Sequence, residues 1–163
     1  MTKEVRAVAE RLLNLRLSLA TAESCTGGML GSALTELPGS SMWYRGGLVV
    51  YSDDLKVALA GVSPATLEKE GAVSAAVACE LALGVKDRCG SDLGIGITGI
   101  AGPGGGSEEK PVGTVCFALA SESGVEHWTV RFPGDRNRVR SAAVRFALDR
   151  ILELFASGRD EEP

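Results

Sequence analysis

Between residues 3 and 15, Val5, Val8, Ala9, Leu12 and Leu13 fall at i, i+3, i+4, i+7 and i+8, the spacing of one helical face. A first helix is predicted there. Leu17 to Thr21 reads as a short strand, followed by the polar turn Ala22 to Gly28 (AESCTGG) and a helix from about Thr26 to Leu37, stopped by Pro38-Gly39. Arg45 to Tyr51 (RGGLVVY) predicts a second strand, and Ser52-Asp53-Asp54 caps a short helix that runs through Leu59 and ends at Gly61. Ser63-Pro64 restarts a helix over 64–70. Ser74 to Arg88 is apolar nearly all round, the mark of a helix covered by other elements.

Asp92 to Thr98 (DLGIGIT) predicts a strand, and Gly99 to Pro111 then places five glycines and two prolines in thirteen residues. An irregular loop of that length in a compact domain points to function. Val112 to Ala120 and Val125 to Phe132 predict an antiparallel hairpin turning at Gly124. Pro133-Gly134-Asp135 opens a last helix that reaches Phe155, with Asp135 as its N-cap and Val139, Ala142, Ala143, Phe146 and Ala147 on one face. Strands alternating with helices, plus one hairpin, predict an α/β fold, a three-layer α/β/α sandwich around a mixed sheet of five or six strands. One domain is expected over 1–156 and a disordered tail over 157–163.

Composition narrows the class without changing this picture. At 45% hydrophobic and 23% charged residues, the 163-residue chain can form one core. A net charge of -4 and no long basic run argue against a nucleic-acid partner. No apolar run approaches a membrane span, and MTKEVRAVAERLL lacks a signal-peptide core, so a cytoplasmic protein with no membrane partner is expected. Cys25, Cys79, Cys89 and Cys116 lack metal-ligand spacing and read as reduced thiols, so no metal is expected.

Several motif matches fail on context. Gly94 to Gly99 spells GxGxxG but lies within a strand, whereas a dinucleotide fold needs those glycines to open a helix. Ser107 to Lys110 spells SxxK but is pinned between glycines and Pro111. His127, the only histidine, sits at alternating strand spacing and reads as surface or edge packing.

Three segments remain, each at the end of a predicted strand, where open α/β sheets place a ligand crevice: AESCTGG, YSDDLK and TGIAGPGGG. Ser24 falls just before a helix N-terminus, where a nucleophile would have oxyanion donors beside it; alternatively Ser24 or Thr26 caps the helix. Lys56 is the cationic candidate for a base, or else a solvated helix lysine. The Tyr51 hydroxyl either relays a proton or anchors the strand end. Thr98 and the glycines after it can bring backbone N–H groups close to a phosphate or a carbonyl. Arg136, Arg138 and Arg140 crowd the start of the last helix, against its dipole, so a phosphate or a surface carboxylate is expected to compensate them.

The blocks TAESCTGG, PGSS, RGG-VVYS, KEGAVS, GITGIAGPGGG, EKPVGTV and FPGDR, in this order over roughly residues 5 to 155, resemble the C-terminal domain of CinA, the competence-damage-inducible protein. The resemblance implies an anticodon-binding-like three-layer fold, a homodimer, and a cofactor-free hydrolase that deamidates nicotinamide mononucleotide to nicotinate mononucleotide and ammonia. It implies a catalytic Ser24 with Tyr51 and Lys56. Substrate contacts are implied at Cys25, Thr26, Gly27, Gly28, Thr98, Gly99, Ala101, Gly102, Arg136 and Arg140. A non-catalytic nucleotide-binding module of the same fold is the alternative, and a thiol nucleophile at Cys25 a further one. The nucleotide-pyrophosphatase domain of longer members has no counterpart in these residues, so that activity is not carried over.

Overall fold

In the computed structural model, which describes residues 1–155, twelve segments are ordered along the chain. They are α1 (Thr2–Leu15), β1 (Leu19–Glu23), α2 (Met29–Thr35), a 3-10 turn (Ser40–Met42), β2 (Tyr44–Val49) and α3 (Asp53–Ala60). The chain continues with α4 (Pro64–Glu70), α5 (Ala75–Cys89), β3 (Leu93–Gly99), β4 (Thr114–Ser121), β5 (Gly124–Arg131) and α6 (Arg136–Leu154). The tail expected over 157–163 lies outside the described residues.

The five strands make one sheet in the order β2-β1-β3-β4-β5, parallel across β2, β1 and β3 and antiparallel across β4 and β5. Helices cover both faces, as the alternation of strands and helices predicts. On one face Leu93, Ile95 and Ile97 of β3 and Val115, Phe117 and Leu119 of β4 are buried against α1, α2 and α6. Each such side chain contributes about 1.5 to 3 kcal/mol when fully buried. Phe117 stacks against Phe146 at 4.7 Å and meets Phe132 edge-on at 6.1 Å.

The other face is built from small residues. Ala20 and Ala22 of β1 and Cys116, Ala118 and Ala120 of β4 lie under α3 and α5. Gly94 and Gly96 let α5 ride directly on β3, for a Cβ at either position would strike the carbonyl oxygen of Ala82 or Ala78. The GxGxxG match is thus a helix-to-sheet packing device. The Arg45-Gly46-Gly47 run has a local cause too: the register slips between Leu19 and Ala20, and Gly46 absorbs the bulge at φ 130°.

Helix ends follow the sequence where the cap lies on the helix itself. Ser52, Ser74 and Asp135 accept the N–H groups of Leu55, Val77 and Arg138. Helix α2 is shorter than expected: residues 26 to 28 form a turn, and Gly28 is its N-cap with no side-chain bond.

Candidate active site

All three parallel strands end on the same side of the sheet, so the segments after β1, β2 and β3 meet there. They line a cavity of about 280 Å³ with Ser24, Cys25, Tyr51, Asp53, Lys56, Thr98 and Arg136 among its walls, together with the glycine loop from Gly99 to Gly105. That is just below the usual range of small-molecule pockets, roughly 300 to 1,000 Å³. A larger cavity of about 760 Å³ opens at the opposite end of the sheet, beside Leu17, Lys86, Asp92 and Phe155. It gathers no nucleophile with a buried cation, whereas the smaller one does.

Ser24 follows directly from β1, its N–H bonded to Ile97 O of β3 at 2.9 Å. Its side chain is 7% exposed, and Oγ makes no hydrogen bond among the described residues. A nearly buried hydroxyl with no partner, facing a cavity, is available to a ligand.

Lys56 is 2% exposed, on the same face of α3 as buried Ala60. A lysine so deeply buried is rare without a partner. Here Nζ donates to Tyr51 O at 3.3 Å and to Asp53 Oδ1 at 3.1 Å, with no bond to Ser24. The solvated-lysine alternative is therefore not what the fold adopts. Asp53 escaped the sequence reading because it looked like one more acidic residue in a helix's first turn.

Tyr51 is exposed, and its two polar groups diverge. Its carbonyl holds Lys56, while its hydroxyl accepts from Arg136 Nη2 at 2.8 Å. Arg136 also donates through Nη1 to Gly102 O at 2.9 Å, so it bridges the end of β2 and the glycine loop across the cavity mouth. Thr98, buried, donates its hydroxyl to Ala72 O at 2.8 Å, tying β3 to the α4–α5 linker. Its side chain is engaged in the fold. Gly99, Ala101 and Gly102 line the cavity. Lys110 reaches away to Glu70 O at 2.7 Å, leaving the SxxK match without chemistry.

Neither Ser24 nor Thr26 caps α2. Thr26 Oγ1 is buried without a partner. The cap comes from Glu23, 1% exposed, whose carboxylate accepts the N–H groups of Gly28, Leu30 and Gly31 at 3.2, 3.0 and 2.8 Å. Gly27 N is bonded to Ser24 O, so neither glycine of the turn has a free N–H for an oxyanion. In the turn, the N–H groups of Cys25 and Thr26 are the ones left without an oxygen partner. Arg140 lies behind the turn and outside the cavity wall, donating to Cys25 O at 3.1 Å and Thr26 O at 3.0 Å. Cys25 itself is 6% exposed, and burial, with the nearby Glu23 charge adding to it, pushes its thiol up to about 12. Such a thiol stays protonated near neutral pH and is a poor nucleophile.

A five-stranded mixed sheet covered on both faces, with a serine, a buried lysine and a glycine loop gathered at the ends of its parallel strands, defines an α/β sandwich with a strand-end crevice. The chain belongs to the CinA C-terminal domain family, whose model matches residues 1–155. It is 52% identical over 134 residues to a CinA-like protein of Acidobacterium capsulatum, covering 82% of this chain and 32% of that one. The chain thus spans about a third of the length of such relatives. Two solved structures superpose over nearly their whole length. A competence/damage inducible protein from Agrobacterium tumefaciens has a TM-score of 0.91 at 41% identity, covering 94% of each chain. A CinA superfamily protein from Klebsiella pneumoniae has a TM-score of 0.92 at 38% identity, covering 96% of this chain and 98% of that one.

Proposed function

We propose that the chain is a serine amidohydrolase that deamidates nicotinamide mononucleotide to nicotinate mononucleotide and ammonia. The observation that carries this reading is the unpartnered, nearly buried Ser24 hydroxyl sharing a small cavity with buried Lys56. In the proposed reaction Lys56 first gives up the proton it holds in its pair with Asp53; Ser24 Oγ then attacks the carboxamide carbon and its proton passes to the freed Lys56 amine. The N–H groups of Cys25 and Thr26 stabilise the oxyanion. Ammonia leaves with the proton returned by Lys56, and water then cleaves the acyl-serine ester. Arg136, with three of its five N–H donors uncommitted, and the loop amides receive the phosphate.

Ammonia release from nicotinamide mononucleotide tests this. The wild type is expected to turn over and Ser24→Ala to lose activity by at least about 1,000-fold. A wild type inactive both with and without divalent metals would reject the activity; substantial turnover by Ser24→Ala would reject the nucleophile alone.

One observation favours a second reading, a module that binds the nucleotide without hydrolysing it: Lys56 Nζ bonds to Asp53 and to the Tyr51 carbonyl, with no bond to Ser24. Calorimetry beside product analysis separates the two, since a binding module gives heat of binding with the ligand recovered intact.

A further inference from the structure

The turn that presents Ser24 is gripped on both of its polar sides by charged side chains that form no ion pair with each other and do not line the cavity. Glu23 holds the N–H side, through Gly28, Leu30 and Gly31. Arg140, reaching over from α6, holds the carbonyl side, through Cys25 and Thr26. A carboxylate only accepts and a guanidinium only donates, so each fits one side of the turn and neither can replace the other. Charge-assisted bonds of this kind are roughly twice as strong as neutral ones.

Both groups pack closely against glycines of this segment. A Cβ at Gly31 would lie 2.8 Å from the Tyr44 hydroxyl and within van der Waals contact of Glu23 Oε1 at 3.5 Å, so the carboxylate packs closely against the start of α2. A Cβ at Gly27 would lie 3.4 Å from Arg140 Nη2. Helix α2 has no cap of its own to hold the turn once these two let go.

We infer that Glu23 and Arg140 are a pair of positioning residues that act through the backbone, clamping the Ser24–Gly28 turn so that the Ser24 hydroxyl keeps its place relative to Lys56. The inference rests on Ser24 being the nucleophile of the proposed reaction. It also gives Arg140 a role other than phosphate contact. Misplacing a reacting group by about 1 Å costs on the order of 100-fold in rate, so five bonds that fix the turn and the start of α2 matter for a serine whose hydroxyl makes none.

The test compares wild type, Glu23→Gln, Arg140→Met and the double variant. Each single variant is expected to lose about 10- to 100-fold in kcat on nicotinamide mononucleotide with KM nearly unchanged. The double variant should fall little below the weaker single one, because both changes release the same turn. A phosphate ligand would behave otherwise: Arg140→Met would raise KM and spare kcat. That result, or losses that multiply in the double variant, would overturn the clamp.

Cys25 gives a readout that does not need turnover. It sits in the clamped turn, and its rate of alkylation by iodoacetamide can be followed by peptide mass spectrometry. The Glu23 charge opposes ionisation of this thiol and the Arg140 charge favours it. Charge alone would therefore speed alkylation in Glu23→Gln and slow it in Arg140→Met, whereas a released turn speeds it in both. Opposite changes, or none in Arg140→Met, would overturn the clamp. Should Glu23→Gln fail to fold, Arg140→Met, at the less deeply buried of the two positions, still decides. A wild type with no amidase activity would reject the proposed function, leaving Cys25 reactivity to judge whether the turn is clamped.

Discussion

Lys56 and Asp53 form an ion pair across the cavity wall, 3.1 Å from Nζ to Oδ1, in which the cation is 2% exposed and the anion 61%. The two halves of the pair stand in different surroundings, so they are expected to respond differently to removal. Asp53→Ala leaves a buried ammonium with only the Tyr51 carbonyl, a loss of about 1 to 3 kcal/mol once the solvent around the carboxylate is discounted. Lys56→Met removes the buried charge itself and leaves an exposed aspartate that water can serve, so stability should hold or rise. Urea unfolding of the two variants checks the signs. Amidase activity is expected to run the other way for Lys56→Met, which loses the proton acceptor while remaining folded.

Cys25→Ala is expected to keep kcat within about threefold of wild type, since a thiol raised to about 12 supplies no thiolate near neutral pH. The same shift has a signature in stability. An unfolded thiol ionises near 8.5, so the folded state holds its proton more tightly than the unfolded one. The associated stabilisation is complete below that value and is lost as the pH rises toward 12. Melting temperatures of wild type and Cys25→Ala should therefore converge as the pH is raised from 8 to 11. A constant gap would show that Cys25 ionises alike in both states.

Gly96→Ala is expected to destabilise the fold by about 2 kcal/mol or more, because the new methyl group meets backbone of α5, the Ala78 oxygen and the Ala82 nitrogen, which cannot swing aside. Gly104→Ala, where a Cβ meets nothing within 4 Å, is the control and should be near neutral in stability. Denaturant midpoints of the two variants decide the matter.

These glycines also mark how far the sequence could be read. Periodicity places every strand and the six α-helices to within a few residues, because the faces of this sheet differ so strongly: Leu93, Ile95 and Ile97 alternate with Gly94 and Gly96. The convergence of Ser24, Tyr51, Lys56 and the glycine loop was legible as well, since it needs only that three parallel strands end together. What one residue does to another across the fold was not. Glu23 reads as a polar residue in a strand, and nothing local says that its carboxylate will cap the helix that follows. Arg140 and Arg136 look alike in FPGDRNRVR, yet one braces a turn from behind and the other spans the cavity mouth. A carboxylate one turn ahead of a lysine that shares a helix face with a core alanine was the available signal for Asp53.

Far from the cavity, Asp92 offers a test of the sheet's other end. Its carboxylate accepts both the N–H and the hydroxyl of Ser18, at 2.7 and 2.6 Å, joining the starts of β1 and β3. The Ser18 hydroxyl and then its N–H hold the Asp92 carboxyl below its ordinary value. A depressed folded value means that the native state binds its proton less readily than the unfolded chain does. The contribution is then present above the unfolded value, about 3.9, and disappears as the pH falls through the lower folded one. Asp92 is largely exposed, so screening limits the effect to about 1 kcal/mol. Asp92→Asn is expected to melt below wild type at pH 7, and the gap should close between pH 4 and pH 2. A gap that persisted at pH 2 would mean that geometry, rather than the carboxylate's charge, ties the two strands together.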